Sequence, residues 1–233
     1  MRFEDSRCEP QACRLPDSGL DCGVPTAKSA RIAVFASGEG SNFEVLVEAS
    51  RRNELGGDVV ALFCDNLSAP AIERARRLEI EVVTPPAGPH RTRLADEGPW
   101  LEALREHKVD LVLLAGFMRR LHAPMLAAFG GRMLNIHPSL LPSFPGLDAI
   151  EQAWRHGVRV TGCTVHMVEE ALDDGLIVAQ KAVDVREDDT PQSLEARVHA
   201  AEHAIYAPAV RRFLTQPWQV DGRRLVFVER RND

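Results

Sequence analysis

Apolar residues in the first half of the chain come in short unbroken runs, each followed by a stretch with helical spacing. Residues 31–36, Arg-Ile-Ala-Val-Phe-Ala, form one such run. It leads through Ser37-Gly38-Glu39-Gly40-Ser41-Asn42 into a helical pattern over residues 43–52. Residues 59–64 and 80–83 predict two more strands, with a helix over 69–78 between them. A helix is expected over 93–107, broken near Gly98-Pro99, and the almost wholly apolar 109–115 predicts a fourth strand. Helical spacing over 125–129 then leads to a strand ending at Asn135. Buried-type strands alternating with helices predict an α/β fold, a mostly parallel twisted sheet with helices on both faces.

The second half has a different pattern. Residues 159–168 and 177–185 are long strand-like runs joined by an acidic turn over 169–175, which predicts an antiparallel portion. Residues 191–213 predict a long helix, with Thr190 as N-cap and Pro191 at its first position. A hairpin is expected from Trp218 to Glu229, turning at Asp221-Gly222.

Composition narrows this picture. With 233 residues and 45% hydrophobic content, the chain can fill one sizeable core, so residues 30–233 are expected to form a single domain. Residues 1–29 hold Pro10, Pro16, Gly19, Gly23 and Pro25 without apolar periodicity, and are expected to be a poorly ordered extension. A net charge of -6 argues against a nucleic-acid partner. No apolar run is long enough to cross a bilayer, and the N-terminus has no apolar signal-peptide core, so a cytoplasmic protein without membrane partners is expected. The five cysteines are odd in number and include no CxxC pair, which argues against a disulfide framework or structural zinc. Cys64 and Cys163 lie in apolar runs and read as small buried residues.

Several short stretches carry candidate chemistry. Asn135 and His137 are two residues apart at a strand end, so they project to one side, and Pro138 cannot extend a central strand. An amide donor beside a titratable base suits chemistry at a carbonyl. The loop over residues 37–42 joins a strand to a helix; its glycines allow close backbone approach, and the helix N-terminus favours an anion such as phosphate. Phe43 at the third glycine position breaks the dinucleotide fingerprint, and no Gly-Lys-Ser/Thr follows. Arg119 and Arg120, at the end of an apolar strand, offer guanidinium forks for phosphate or carboxylate. His166, within an apolar strand, reads as a structural histidine, and no metal-ligand pattern is present, so no metal is expected. An NAD-dependent oxidoreductase remains as a rival, with Asp65 at the end of the second strand placed to meet a ribose.

Four stretches in order, residues 37–42, Leu114-Ala115-Gly116-Phe117-Met118-Arg119, Asn135-Ile136-His137-Pro138-Ser139-Leu140-Leu141-Pro142 and Glu202-His203-Ala204-Ile205-Tyr206, resemble the formyltransferases that use 10-formyltetrahydrofolate. The resemblance runs from about Arg31 to about Pro208. It is closest to the branch whose acceptor is glycinamide ribonucleotide, in purine synthesis. It implies a Rossmann-like fold of formyltransferase type, with a nucleotide-binding half over about 30–130, a folate-binding and catalytic half over about 131–214, and a C-terminal hairpin over about 215–233. Asn135, His137 and Asp173 match the family's catalytic Asn, His and Asp. Gly40, Ser41 and Asn42 match its phosphate loop, and Glu202 the acid that contacts the ribonucleotide. Folate binding is implied for Met118, Arg119 and Arg120 and for the turn holding Glu169, Glu170, Ala171 and Leu172, and Arg93 falls where the family has a phosphate-side or folate-side arginine. The implied partners are small molecules, glycinamide ribonucleotide and 10-formyltetrahydrofolate as co-substrate, with the protein a monomer or homodimer.

The chain departs from the family at Asp173-Asp174-Gly175-Leu176, where relatives usually read Asp-Gly-Gly-Pro. The change adds a carboxylate beside the implied catalytic acid and removes a stiffening proline. Related readings are a formyltetrahydrofolate hydrolase or another folate formyltransferase. A tRNA-directed relative carries a further nucleic-acid-binding domain, and the hydrolase an N-terminal regulatory domain; the chain is expected to have neither.

Overall fold

The computed structural model describes residues 29–228. All of the expected extension except Ser29, including Cys8, Cys13 and Cys22, lies outside the described residues, as does the end of the expected hairpin beyond Val228. Five strands run parallel to one another: β1 (Ala30–Ala36), β2 (Gly57–Cys64), β3 (Glu81–Val83), β4 (Leu111–Leu114) and β5 (Met133–His137). β6 (Val160–Met167) and β7 (Ile177–Asp184) join antiparallel at one edge, giving the order β3-β2-β1-β4-β5-β6-β7. A separate hairpin pairs β8 (Trp218–Asp221) with β9 (Arg224–Phe227).

The helices are α1 (Ser41–Arg51), α2 (Pro70–Arg77), α3 (Gly98–Glu106), α4 (Ala123–Phe129), α5 (Ala149–Arg155) and α6 (Pro191–Thr215). Alternation along β1 divides the core into two layers. Ile32, Val34 and Ala36 pack with Leu46, Tyr206 and Phe213, while Ala33 and Phe35 pack with Trp100, Met125 and Phe129. Phe35 stacks on Phe63 with centroids 5.0 Å apart. No helix among the described residues is long and apolar enough to cross a membrane.

Two expectations need correction. The helix expected from residue 93 begins at Gly98, because Pro99 suits a first turn but not a helix interior. Arg93 instead lies in a loop and bridges Arg120. α5 is absent from the apolar pattern because it buries only Ala149 and Ala153, two small residues a turn apart. The capping of α6 is as expected: Thr190 Oγ accepts from Ser193 N, and Ser193 Oγ accepts from Thr190 N.

The order of the sheet decides where a ligand can sit. β1 has β2 on one side and β4 on the other, so the chain reverses its progression across the sheet here, at the loops leaving β1 and β4, and such a switch point is where open α/β sheets place a ligand crevice. The two loops are tied together: Ser37 N donates to Gly116 O at 3.1 Å and Met118 N to Ser37 Oγ at 2.9 Å. Tyr206, fully buried on α6, donates from its hydroxyl to Leu114 O at 2.9 Å, with Leu134 O 3.2 Å away. That contact seats α6 on the ends of β4 and β5. Burial holds the Tyr206 hydroxyl well above its ordinary pKa, so it remains a donor.

Candidate active site

Asn135 and His137 stand on β5, whose partner β6 runs antiparallel and sets Asn135 opposite His166 and His137 opposite Thr164. A register shift between Val165 and His166 marks a bulge against β7 at this point. Asn135 Nδ2 lies 3.1 Å from His166 Nε2. An amide nitrogen only donates, so His166 Nε2 accepts. His166 Nδ1 in turn donates to Met167 O at 2.8 Å. Both contacts call for the neutral ring. Burial lowers the His166 pKa, against the opposing pull of its bond to Met167 O and of Asp173.

Asp173 reaches this pair from the turn after β6. Its Oδ2 is 3.5 Å from His137 Nδ1 and its Oδ1 3.6 Å from His166 Nε2, and the three side chains are almost fully buried. Gly146 N donates to Asp173 Oδ2 at 2.8 Å. Asp173 itself adopts a left-handed φ of 52°, uncommon without a glycine. The other nitrogen of His137, Nε2, donates to Phe144 O at 2.9 Å, and Nδ1 faces the carboxylate. Thr164 holds the segment after His137 in place, donating to Ser139 O at 2.7 Å and accepting from Leu141 N at 3.0 Å.

The β1 loop forms a second cluster. Gly40 precedes α1 with φ 74°, and a Cβ there would lie 2.7 Å from Ala71 Cβ. Only glycine meets both conditions. Ser41 is the first helical residue rather than a side-chain cap, and its Oγ lies 3.1 Å from His203 Nε2 on α6. Asn42 Nδ2 donates to Glu202 Oε2 at 2.9 Å, and its buried Oδ1 has no partner among the described residues. His199 Nδ1 sits 2.9 Å from the same Glu202 oxygen. This hydrogen bond, with the charges of Glu202 and Glu195, raises the His199 pKa, while burial lowers that of His203.

The remaining candidates line the loops after β3, β4 and β6. Arg119 directs its fork into the protein: Nε meets Asp65 Oδ2 at 2.5 Å, and Nη1 donates to His90 O and to Arg93 O. The fork expected to face a ligand is therefore occupied. One oxygen of Asp65, the acid a nicotinamide cofactor's ribose was expected to meet, is engaged by this ion pair, and the Asp65 side chain is buried. Arg120 Nη2 donates to Glu170 O at 2.8 Å, tying the β4 loop to the acidic turn. Met118 and Leu172 are half exposed, at 53% and 55%, and Arg93, Glu169 and Ala171 are also solvent-facing. Leu172 Cδ2 comes within 3.9 Å of a Cβ built on Gly146.

The family model described as formyl transferase matches residues 30–210, which span both clusters. The chain belongs to the formyl transferase family. This formyl transferase is 44% identical over 184 residues to the phosphoribosylglycinamide formyltransferase of Bacillus subtilis (strain 168), covering 79% of this chain and 94% of the relative. It is 41% identical to the bovine trifunctional purine biosynthetic protein adenosine-3, over 78% of this chain and 18% of that longer protein. Among solved structures it resembles glycinamide ribonucleotide transformylase 1 from Symbiobacterium toebii, with TM-score 0.82 and 42% identity, over 86% of this chain and 95% of that one.

Two histidines of this formyl transferase make contacts in these clusters that their local sequence does not specify. His166 was given only a structural place, and alternation along its strand marks it as pointing to one face without saying what lies there. His199 is three residues before Glu202, a spacing that puts both on one helix face and was its only signal.

Proposed function

We propose that the protein transfers a formyl group from 10-formyltetrahydrofolate to the amine of 5-phosphoribosylglycinamide, giving formylglycinamide ribonucleotide and tetrahydrofolate. The observation that carries the catalytic assignment is the position of Asp173, within 3.6 Å of the imidazoles of both His137 and His166, the latter bonded to Asn135. The amine nitrogen bonds to the formyl carbon, and the bond from that carbon to the folate nitrogen breaks. A proton leaves the amine and one reaches the folate nitrogen. Asn135, with one amide hydrogen held by His166, has the other for the formyl oxygen as negative charge grows there. His137 serves the oxyanion and the proton transfers, and Asp173 orients its ring.

The acceptor is assigned by the other cluster. Gly40, Ser41 and Asn42 offer backbone donors at the start of α1 for the phosphate, and Glu202 offers a carboxylate for the ribose hydroxyls. This site draws on both expected halves of the chain, since Glu202 comes from α6. The formyl donor is placed against Met118 to Arg120 and the turn from Glu169 to Asp173. Bringing two substrates together supplies part of the rate. The family and the relatives' names support this reading.

The test is to follow folate absorbance with 10-formyltetrahydrofolate, with and without glycinamide ribonucleotide. Release that requires the ribonucleotide is expected. Release that ignores it would mean a hydrolase instead.

A further inference from the structure

The turn carrying Asp173 makes a contact outside both clusters. Arg223, at the tip of the β8–β9 hairpin, donates from Nη2 to Asp174 Oδ1 at 2.6 Å and to Asp174 O at 3.1 Å, and from Nη1 to Asp174 Oδ2 at 3.3 Å. One guanidinium thus holds both carboxylate oxygens and the backbone of the residue next to Asp173. It also raises no conflict with the start of the turn, where Glu169 adds a second negative charge near it.

The hairpin is itself anchored. Trp218 stacks on Phe213 of α6 with centroids 5.1 Å apart, and the Arg212 guanidinium lies 3.9 Å from the centroid of the Phe227 ring. Leu225 and Phe227 pack against the larger core layer. On the other side of Asp174, Gly175 is closely confined, since a Cβ there would lie 1.9 Å from Met167 O. Residues 169–172, which precede these fixed points, are exposed.

We propose that Arg223 is a positioning residue for the reaction: from the hairpin it holds Asp174 and so keeps the Asp173 carboxylate between His137 and His166. The hairpin is then a brace for the turn, and it carries α6, which bears Glu202, into the geometry of Asp173. The part that concerns rate rests on the formyl-transfer reading; the part that concerns the turn does not.

An exposed pair is screened by salt and contributes modestly, so the effects are small and must be read at the turn itself. Amide hydrogen exchange over residues 169–176 is measured without substrate for wild type, Arg223→Ala and Asp174→Asn, together with kcat and KM for both substrates. Exchange over the turn is expected to speed up about two- to fivefold in either variant, the scale of an exposed pair. The fall in kcat is expected to be similar, with the ribonucleotide KM unchanged. Arg223→Lys should restore part of each, and high salt should bring wild type toward the variants. Asp174→Asn leaves the hairpin sequence intact, so a misfolded hairpin in Arg223→Ala cannot account for a shared result. Exchange over the turn equal to wild type in both variants overturns the brace. Faster exchange with unchanged kcat overturns the positioning role. Absence of formyl transfer by the wild type would fail the functional reading while exchange still decides the brace.

Discussion

Asn135 donates its side-chain amide to His166 Nε2 across the β5–β6 pair, at 3.1 Å. Only a neutral His166 can accept this bond, and burial, by lowering its pKa, keeps it neutral. The amide proposed to serve the formyl oxygen is therefore oriented by a second histidine.

Acid should undo this arrangement. A lowered histidine pKa contributes stability that is present above the unfolded value, about 6.5, and is lost as pH falls through the folded value. Protonation also removes the acceptor for Asn135, so kcat is expected to fall on the acid side below the usual histidine range. His166→Ala should lower kcat, by up to about 10²-fold if Asn135 swings away. A pH–rate profile and nitrogen NMR of the imidazole check both. A His166 imidazolium at neutral pH would contradict the scheme.

His137→Ala is expected to cut turnover by roughly 10²–10⁴, the scale of a lost general acid–base group. Asn135→Ala should cost roughly 10²–10³, the scale of a lost oxyanion donor. Neither should weaken ribonucleotide binding much, because its cluster is built by the β1 loop and α6. Calorimetric titration with the ribonucleotide alongside steady-state rates separates the two effects. Collapse of binding with turnover retained would show His137 to be misassigned.

Gly40→Ala places a methyl 2.7 Å from Ala71 Cβ on a backbone with φ 74°. A strained backbone of this kind costs about 1–3 kcal/mol. Both denaturant stability and ribonucleotide affinity should drop, because the same residue opens α1 toward the crevice. Unchanged values in both measurements would mean that the loop has room to relax.

The His199–Glu202 bond has the opposite pH dependence to His166. A raised histidine pKa contributes stability that is fully present below the unfolded value and lost as pH rises through the folded one. Glu202→Gln should return the His199 titration toward its ordinary range and weaken ribonucleotide binding. Proton NMR of His199 in the two proteins reads the first effect, and titration calorimetry the second.

Much of the site was legible along the chain. The Asn135 and His137 pair and the glycines before α1 each sit in a local pattern that a strand or a helix start requires, whereas Asp173 was singled out only by the family resemblance. Arg119 was legible only as a charge. Its fork was expected to face a ligand, and Asp65, 54 positions earlier, takes it up instead. α5 left no signal because two alanines make too weak an apolar stripe.

By itself the sequence determined the strand-and-helix alternation, the loop that opens α1 and the residue types gathered at the end of β5. These follow from spacings of two, three or four residues, over which backbone geometry dictates which side chains share a face. Only the tertiary structure decided that His166 lies against Asn135, that Asp173 sits between two imidazoles and that Arg223 reaches Asp174. Those contacts join residues 31, 36 and 49 positions apart. They depend on β6 running antiparallel to β5 and on the hairpin packing beside α6, and no local spacing encodes either.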